Sequence, residues 1–430
     1  MKRIIFRDAN LFDGVSAPRP NTTVVVEGDR IASVGREAEA AECDRVIDLE
    51  GRTLMPGMIS CHFHSAFHNV GFPVPPMLGL DNPTPMATLL AANNLRTALD
   101  CGVTSTVGSS VPEYIDVSLK EAVENGLIPG PRMLAGSHAI IATGDSPDGE
   151  NRFWYYRLGN HGVVRICDGA NEFRRAVRQE LGRGADVVKL YVSDGHGAGA
   201  TNGLMSVTRE ELRAAVEAAH DRGKMIRVHA ASKLSILESA HAGVDIIDHA
   251  DRVDEECIEA ILASGSTVLP SLLYSQRLLE MMESVDLDAG ALPFGGALNM
   301  SVSEFRERIR AVRDEFDHSC SMLPVMRDAG VKLVVGDDFG TMLVPHGDYA
   351  AELEFDVKTL GIAPLDALRW ATAAGAQLMG RADDLGSVEE GKLADLLVVD
   401  GDPTTDIGCL GDRARIQAVL KGGEFEKEIL

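Results

Sequence analysis

Two histidines one residue apart close the apolar run Met55-Pro-Gly-Met-Ile-Ser-Cys-His-Phe-His64. Side chains on a strand alternate between faces, so His62 and His64 point the same way while Phe63 turns back into packing. Two imidazoles from one strand suit a divalent metal such as zinc, which takes imidazole nitrogen at about 2.0–2.1 Å. Alone the pair is weak evidence, because such a spacing is more often filled by surface or hydrogen-bonded histidines. Further groups of the same chemical kind stand at the ends of other apolar runs: Lys189, His229, His249 and the pair Asp337-Asp338. Lys189 lies within Asp186-Val-Val-Lys-Leu-Tyr191, where alternation sends Val188, Leu190 and Val192 to one face and Lys189 and Tyr191 to the other. A lysine on an inward face is costly unless it is neutralised or paired.

The elements that must position these groups follow an alternation of β-type runs with helical stretches. Eight such runs are read: 58–64, 103–108, 133–138, 187–192, 225–230, 245–250, 267–273 and 332–338. Parallel strands with crossover helices are implied, and eight units over about 300 residues fit an α/β fold of the (β/α)8 TIM-barrel type. An open doubly wound sheet would carry a glycine-rich phosphate loop after its first strand, and none is visible. A barrel places reactive side chains at the C-terminal ends of its strands, where the residues above fall. Short β-type runs before residue 56 and after residue 381 predict a small β-sandwich built from both chain ends, giving 1–56, 57–380 and 381–430 as the divisions. Two connections, 139–170 and 274–310, are long enough to cover the barrel mouth. The first holds Phe153-Trp-Tyr-Tyr156 and the arginines Arg152, Arg157 and Arg165; the second holds Met281, Met282, Leu292, Phe294 and Met300. Both sets either pack the loops down or meet substrate.

With 430 residues, 45% of them hydrophobic, the chain can bury one large core and a smaller companion. A net charge of -24 sets up a field that repels phosphate backbones and anionic lipid, so neither nucleic acid nor membrane is an expected partner. Seven scattered cysteines, an odd number without paired spacing, predict reduced thiols and a cytoplasmic protein. The first residues, Met-Lys-Arg-Ile-Ile-Phe-Arg-Asp8, read as a strand and not as a leader, and no apolar run is long enough to span a bilayer.

The order His-x-His, Lys, His, His, Asp resembles the metal-dependent amidohydrolase superfamily, together with an entry motif at 55–64 and an exit motif, Gly386-Ser-Val-Glu-Glu-Gly-Lys-Leu-Ala-Asp-Leu-Leu-Val-Val-Asp400. Ala185-Asp-Val-Val-Lys-Leu-Tyr191, Gly243-Val-Asp-Ile-Ile-Asp-His249 and Pro345-His-Gly347 make it most similar to the prolidase-like and imidazolonepropionase-like branch, which phenylurea and thiocarbamate hydrolases also resemble. The resemblance implies two divalent ions, zinc first and manganese or cobalt as alternatives. His62, His64 and Asp338 would hold one ion, His229 and His249 the other, and a carbamylated Lys189 would bridge them. A shared hydroxide would attack the substrate, with Asp338 moving the proton and Tyr191 donating to the developing oxyanion.

Three positions depart from the pattern. Asp337 stands where relatives often have threonine, Ser60 where an acidic residue is usual, and Ala142-Thr-Gly-Asp-Ser-Pro147 where a glycine-histidine segment is common. Alignment on Gly336 selects Asp338 over Asp337 as the ligand. His138, His68, His346, Trp154 and Tyr155 are candidate substrate contacts by position at the mouth; His161, His196, His220, His241 and His318 read as surface or helix residues. The expected activity is hydrolysis of a C–N bond in a small amide, urea or carbamate by a homo-oligomer. A dipeptidase of the prolidase type is the alternative, and a mononuclear deaminase, which does without the lysine, is the third reading.

Overall fold

The computed structural model describes residues 3–35, 39–42, 44–68, 82–145, 147–148, 162–196, 204–287 and 301–430. The chain opens with β1 (Arg3–Leu11), β2 (Arg19–Glu27), β3 (Arg30–Val34), β4 (Arg45–Asp48) and β5 (Thr53–Pro56). The central strands are β6 (Met58–Phe63), β7 (Val103–Gly108), β8 (Arg132–Leu134), β9 (Ala139–Ile141), β10 (Val164–Ile166), β11 (Val187–Tyr191), β12 (Met225–Ala230), β13 (Ile246–His249), β14 (Thr267–Leu269) and β15 (Lys332–Leu333). The last three are β16 (Leu396–Val399), β17 (Ile416–Lys421) and β18 (Glu424–Glu428).

Both chain ends contribute to one eight-stranded sheet ordered β18-β17-β16-β5-β1-β2-β3, with β4 on β1. Its apolar face buries Ile4, Phe6, Leu11, Val24, Leu396, Val398 and Leu420 together, so the N-terminal strands have no core of their own without the C-terminal ones. The junction is direct: Leu54 and Met55 of β5 pair with Val398 and Leu397 of β16, and two residues past β5 the chain enters the strand that carries His62.

The middle of the chain is α/β. All central strands pair in parallel, β6-β7-β8 in one sheet and β10-β9-β11-β12-β13-β14-β15 in another, with helices between most of them. Hydrogen bonds cross between the sheets on both sides: Cys61 N donates to Val335 O (2.8 Å), and Asp186 N donates to Ala135 O (2.8 Å).

Three of the eight expected runs stop several residues short of the extent read. The third breaks into β8 and β9 around Gly136, where an added Cβ would lie 2.0 Å from Ser109 O, so the backbone there is too close to its neighbour for a regular ladder. The seventh stops at Leu269 because Pro270 has no N–H to donate and Ser271 takes φ 56°, starting the helix Leu272–Glu283. The eighth is regular only over Lys332–Leu333; beyond it the chain bends at Gly336 (φ 142°). The connection expected at 274–310 is partly this helix, and Met282 sits in its packing with Leu278, Phe305 and Val312, which corrects its reading as a mouth-loop residue. Trp154, Tyr155, Phe153, Tyr156, Arg152, Arg157, His161, Leu292, Phe294 and Met300 lie outside the described residues.

Candidate metal centre

Alternation places the site. Val187 on β11 and Ile246 on β13 share a buried apolar cluster with Leu269 and Val334. Two residues further along, the same faces carry Lys189 and Asp248, which form an ion pair of 2.6 Å with both side chains buried. On β6 the period of two brings His62 and His64 together, with Nε2 atoms 3.1 Å apart. Asp338 Oδ1 meets them at 3.0 and 3.2 Å.

Not every residue arrives by alternation. On a regular strand His249 would follow Ile247 to the outer face; instead it takes φ 76° at the end of β13 and turns inward. Asp338 (φ 40°) and His196 (φ 47°) are also in the left-handed region, which non-glycine residues seldom adopt. Such backbone clusters at functional sites, where surrounding packing holds it.

The ring nitrogens show what the site is built to accept. His64 Nδ1 donates to Ser110 O at 3.0 Å, which leaves Nε2 as the nitrogen aimed at a carboxylate and at His62 Nε2. His62, His64 and Asp338 thus bring three ligand atoms together in a group that could hold a metal ion. His229 Nε2 and His249 Nδ1 are buried without a hydrogen-bond partner among the described residues. Burial pushes His62 down to about 4 and His229 and His249 well below the usual range, so these imidazoles are neutral at physiological pH. Burial raises the Asp338 carboxyl, but His62 and His64 outweigh it and hold it well below the usual range. Donor types, tautomer and unpartnered nitrogens all fit divalent metal.

His196 belongs to this centre, which corrects its reading as a surface residue. It is buried, its Nδ1 faces Asp251 at 3.2 Å, and its Nε2 lies 3.8 Å from Asp338 Oδ2. The ring stacks on His249 with centroids 3.7 Å apart and planes at 17°. With Asp338, these two histidines bring three ligand atoms within 4.8 Å of one another, close enough to hold a metal ion. Burial lowers the His196 imidazole but Asp251 and Asp338 outweigh it, raising it to about 9. Tyr191 stacks on His229 (4.5 Å, 9°), on the face that carries Lys189.

Two candidate substrate contacts are already committed elsewhere. His138 has Nδ1 on Glu180 (3.1 Å), and its Nε2 accepts from Glu113 N (3.2 Å). His346 has Nδ1 on Tyr349 Oη (2.8 Å) and Nε2 on His64 O (3.2 Å), so it braces the backbone behind the centre. His68 is exposed. His220 and His241 are exposed helix residues as read, and His318 is a half-buried helix residue on Val253 O. A further buried group went unread: Arg227, on the same face of β12 as His229, is fully buried and binds Asp248 through Nη2 (2.6 Å) and Nε (3.1 Å).

Residues 53–425 match the amidohydrolase family, and the chain belongs to it. It is 28% identical to ochratoxinase of Aspergillus niger, over 97% of this chain and 85% of that one. It is 24% identical to imidazolonepropionase of Cutibacterium acnes, over 94% and 90% of the two chains. The structure also matches that of a Xaa-Pro dipeptidase with methionine bound in its active site, at TM-score 0.83 and 25% identity, covering 99% of both chains. The chain is accordingly a hydrolase. No helix among the described residues is long and apolar enough to cross a membrane.

Proposed function

We propose that this hydrolase cleaves a C–N bond in a small amide, urea or carbamate, with two divalent ions, zinc first, held by His62, His64, Lys189, His229, His249 and Asp338. Lys189 takes part as a carbamate. The observation that carries the reading is the convergence of His62, His64 and Asp338 within 3.2 Å, with the His64 tautomer fixed by Ser110. Bound there, such ions lower the pKa of water and polarise a carbonyl.

The protein's own groups supply the proton chemistry. Asp338 accepts the proton of the attacking water and returns it to the leaving nitrogen. His196, held through Nδ1 by Asp251, presents Nε2 beside Asp338 Oδ2 as a hydrogen-bonding group toward the reacting atoms. Tyr191 offers its hydroxyl to the carbonyl oxygen as it gains charge.

In fold terms the reading takes the parallel strands of 57–380 as a closed (β/α)8 barrel, supported by the cross-sheet bonds at Cys61 and Asp186, and the sheet of 1–56 and 381–430 as a sandwich. The acidic chain and its free cysteines suit a cytoplasmic enzyme acting as a homo-oligomer on a small molecule.

The dipeptidase reading draws on the likeness to a Xaa-Pro dipeptidase. Against it, Arg165, the arginine of the mouth connection among the described residues, is engaged with Glu180 and Gln179. The deaminase reading conflicts with a lysine buried at the centre. Zinc-, manganese- or cobalt-loaded protein assayed on N-acyl amino acids, dipeptides, aryl ureas and carbamates tests the choice. Turnover of N-acyl, urea or carbamate compounds is expected; dipeptides alone would establish the second reading.

A further inference from the structure

A cavity of about 390 Å³ opens at the end of the central strands opposite the metal centre. Its wall takes the first residues of β12, β14 and β15, which are Met225, Thr267 and Lys332, and Asp245 just before β13. Met225 and His229 are four residues apart on β12, so at about 3.3 Å per residue the cavity lies about 13 Å from the centre, beyond contact with it. Its volume falls at the lower end of the range of about 300–1,000 Å³ found for small-molecule sites.

The backbone beside it is unusual. Trp370–Ala374 is a π-helical turn, and its first and last residues, Trp370 and Ala374, both line the cavity. Such turns are rare and recur at functional sites. Here the turn makes the half-buried Trp370 indole part of the wall, with Met225 and Leu378 as further apolar surface.

Charge selects the ligand. Thr267 pairs with Ile246 on one side and with Lys332 on the other, so Asp245 and Lys332 flank the cavity with β14 between them. Asp245 Oδ2 meets His220 Nε2 at 2.9 Å and accepts from Ile226 N at 2.8 Å. The helix Lys233–Ala242 ends nearby at Gly243, also in the wall, and the carbonyl end of a helix is partially negative. That side favours an ammonium. Lys332 Nζ donates to Gly265 O at 2.8 Å, and an ammonium has three donors to give. This side favours a carboxylate. A ligand with a single charge would satisfy one wall and oppose the other, and an uncharged one would strip water from both without return.

We propose that this cavity binds a small apolar α-amino acid, with its ammonium on Asp245 and the end of helix Lys233–Ala242, its carboxylate on Lys332, and its side chain against Trp370. The binding depends neither on the metals nor on which bond the centre cleaves.

The chain has two tryptophans, Trp154 and Trp370, so in zinc-loaded, full-length Trp154→Phe protein the indole emission comes from Trp370 alone. Titration with L-leucine is expected to change that emission saturably. Leucinol lacks the carboxylate and 4-methylpentanoate lacks the ammonium, and each should need at least about ten-fold more for half-saturation, the worth of one charge-assisted hydrogen bond. Lys332→Met and Asp245→Asn, made in the same background, should each weaken leucine binding by a similar factor. An emission that leucine leaves unchanged would overturn the proposal, because the ligand must touch the ring. Equal responses to leucine, leucinol and 4-methylpentanoate would overturn it too, and this arm decides if the variants are insoluble. A Lys332→Met protein with unchanged half-saturation would place the leucine elsewhere, the zinc centre included, and sink the site.

Discussion

Asp337 and Asp338 are chemically identical neighbours with opposite surroundings. Asp338 turns to His62 and His64 from a left-handed backbone, while Asp337 is fully buried and accepts a hydrogen bond from Tyr274 N at 3.0 Å. Losing a positioned acid–base group costs about 10²- to 10⁴-fold in rate. Asp338→Asn, which also removes a proposed metal ligand, is expected to lose at least about 10⁴-fold in kcat at saturating zinc, and Asp337→Asn far less; a reversed order would place the catalytic carboxylate one residue earlier. His196 separates differently. The hydrogen-bonding role proposed for His196 predicts that His196→Phe keeps two zinc equivalents and the stack on His249 while kcat falls about 10²-fold. Loss of one zinc equivalent in that variant would show it to be a ligand after all. The sequence made His62 and His64 readable because a strand's period of two is rigid. It hid His196, which follows Lys189 in Ser193-Asp-Gly-His-Gly197, where no periodicity indicates direction. Arg227 was readable in principle, since it shares a strand face with His229.

Element boundaries failed where tertiary contacts overrule pattern. Apolar runs at 103–108 and 225–230 became strands of the same extent, because nothing in them resists a ladder. The runs containing Gly136, Pro270 and Gly336 did not, and at each the chain is diverted beside the centre. Gly336 shows the cost of removing such a feature. Its φ of 142° is disfavoured for any side chain, and an added Cβ would lie 2.3 Å from His62 N and 2.8 Å from Cys61 N. Both obstacles are backbone, so the strand carrying His62 must shift. Gly336→Ala is expected to destabilise the fold by about 2–4 kcal/mol and to weaken zinc binding at least ten-fold. Denaturant unfolding and zinc titration check the two effects; a variant with native zinc affinity would mean that the segment after β15 can move without disturbing β6.

At the scale of the molecule, the joining of both chain ends was legible because each end carries strands too few to fold alone. What no pattern announced is the acidic layer behind the centre. Asp337, Glu352 and Asp356 are all buried there, and Glu352 accepts from Gly336 N with both carboxylate oxygens (3.1 and 2.8 Å). Burial, and after it the neighbouring carboxylates, pushes Asp337 up to about 7 and Glu352 and Asp356 well above the usual range. Three carboxyls so placed titrate as a set and cannot all be ionised together. Their folded pKa values exceed the unfolded ones, so the stability they contribute is fully present below about pH 4 and is lost as pH rises through neutrality. The paired carboxylates Asp248 and Asp338 are shifted the other way: their contribution is present above about pH 4 and is lost only in stronger acid, so they add no slope near neutrality. Glu352→Gln keeps an acceptor for Gly336 N and removes one acidic group from the set. Each proton of difference is worth ~1.4 kcal/mol per pH unit. Between pH 6 and 9, at constant zinc, calorimetry should therefore find the Tm of the variant falling less steeply than that of the wild type, by about 1–2 °C per pH unit. Parallel slopes would show that Glu352 does not change its protonation in this range, and that another group carries the acid layer's charge.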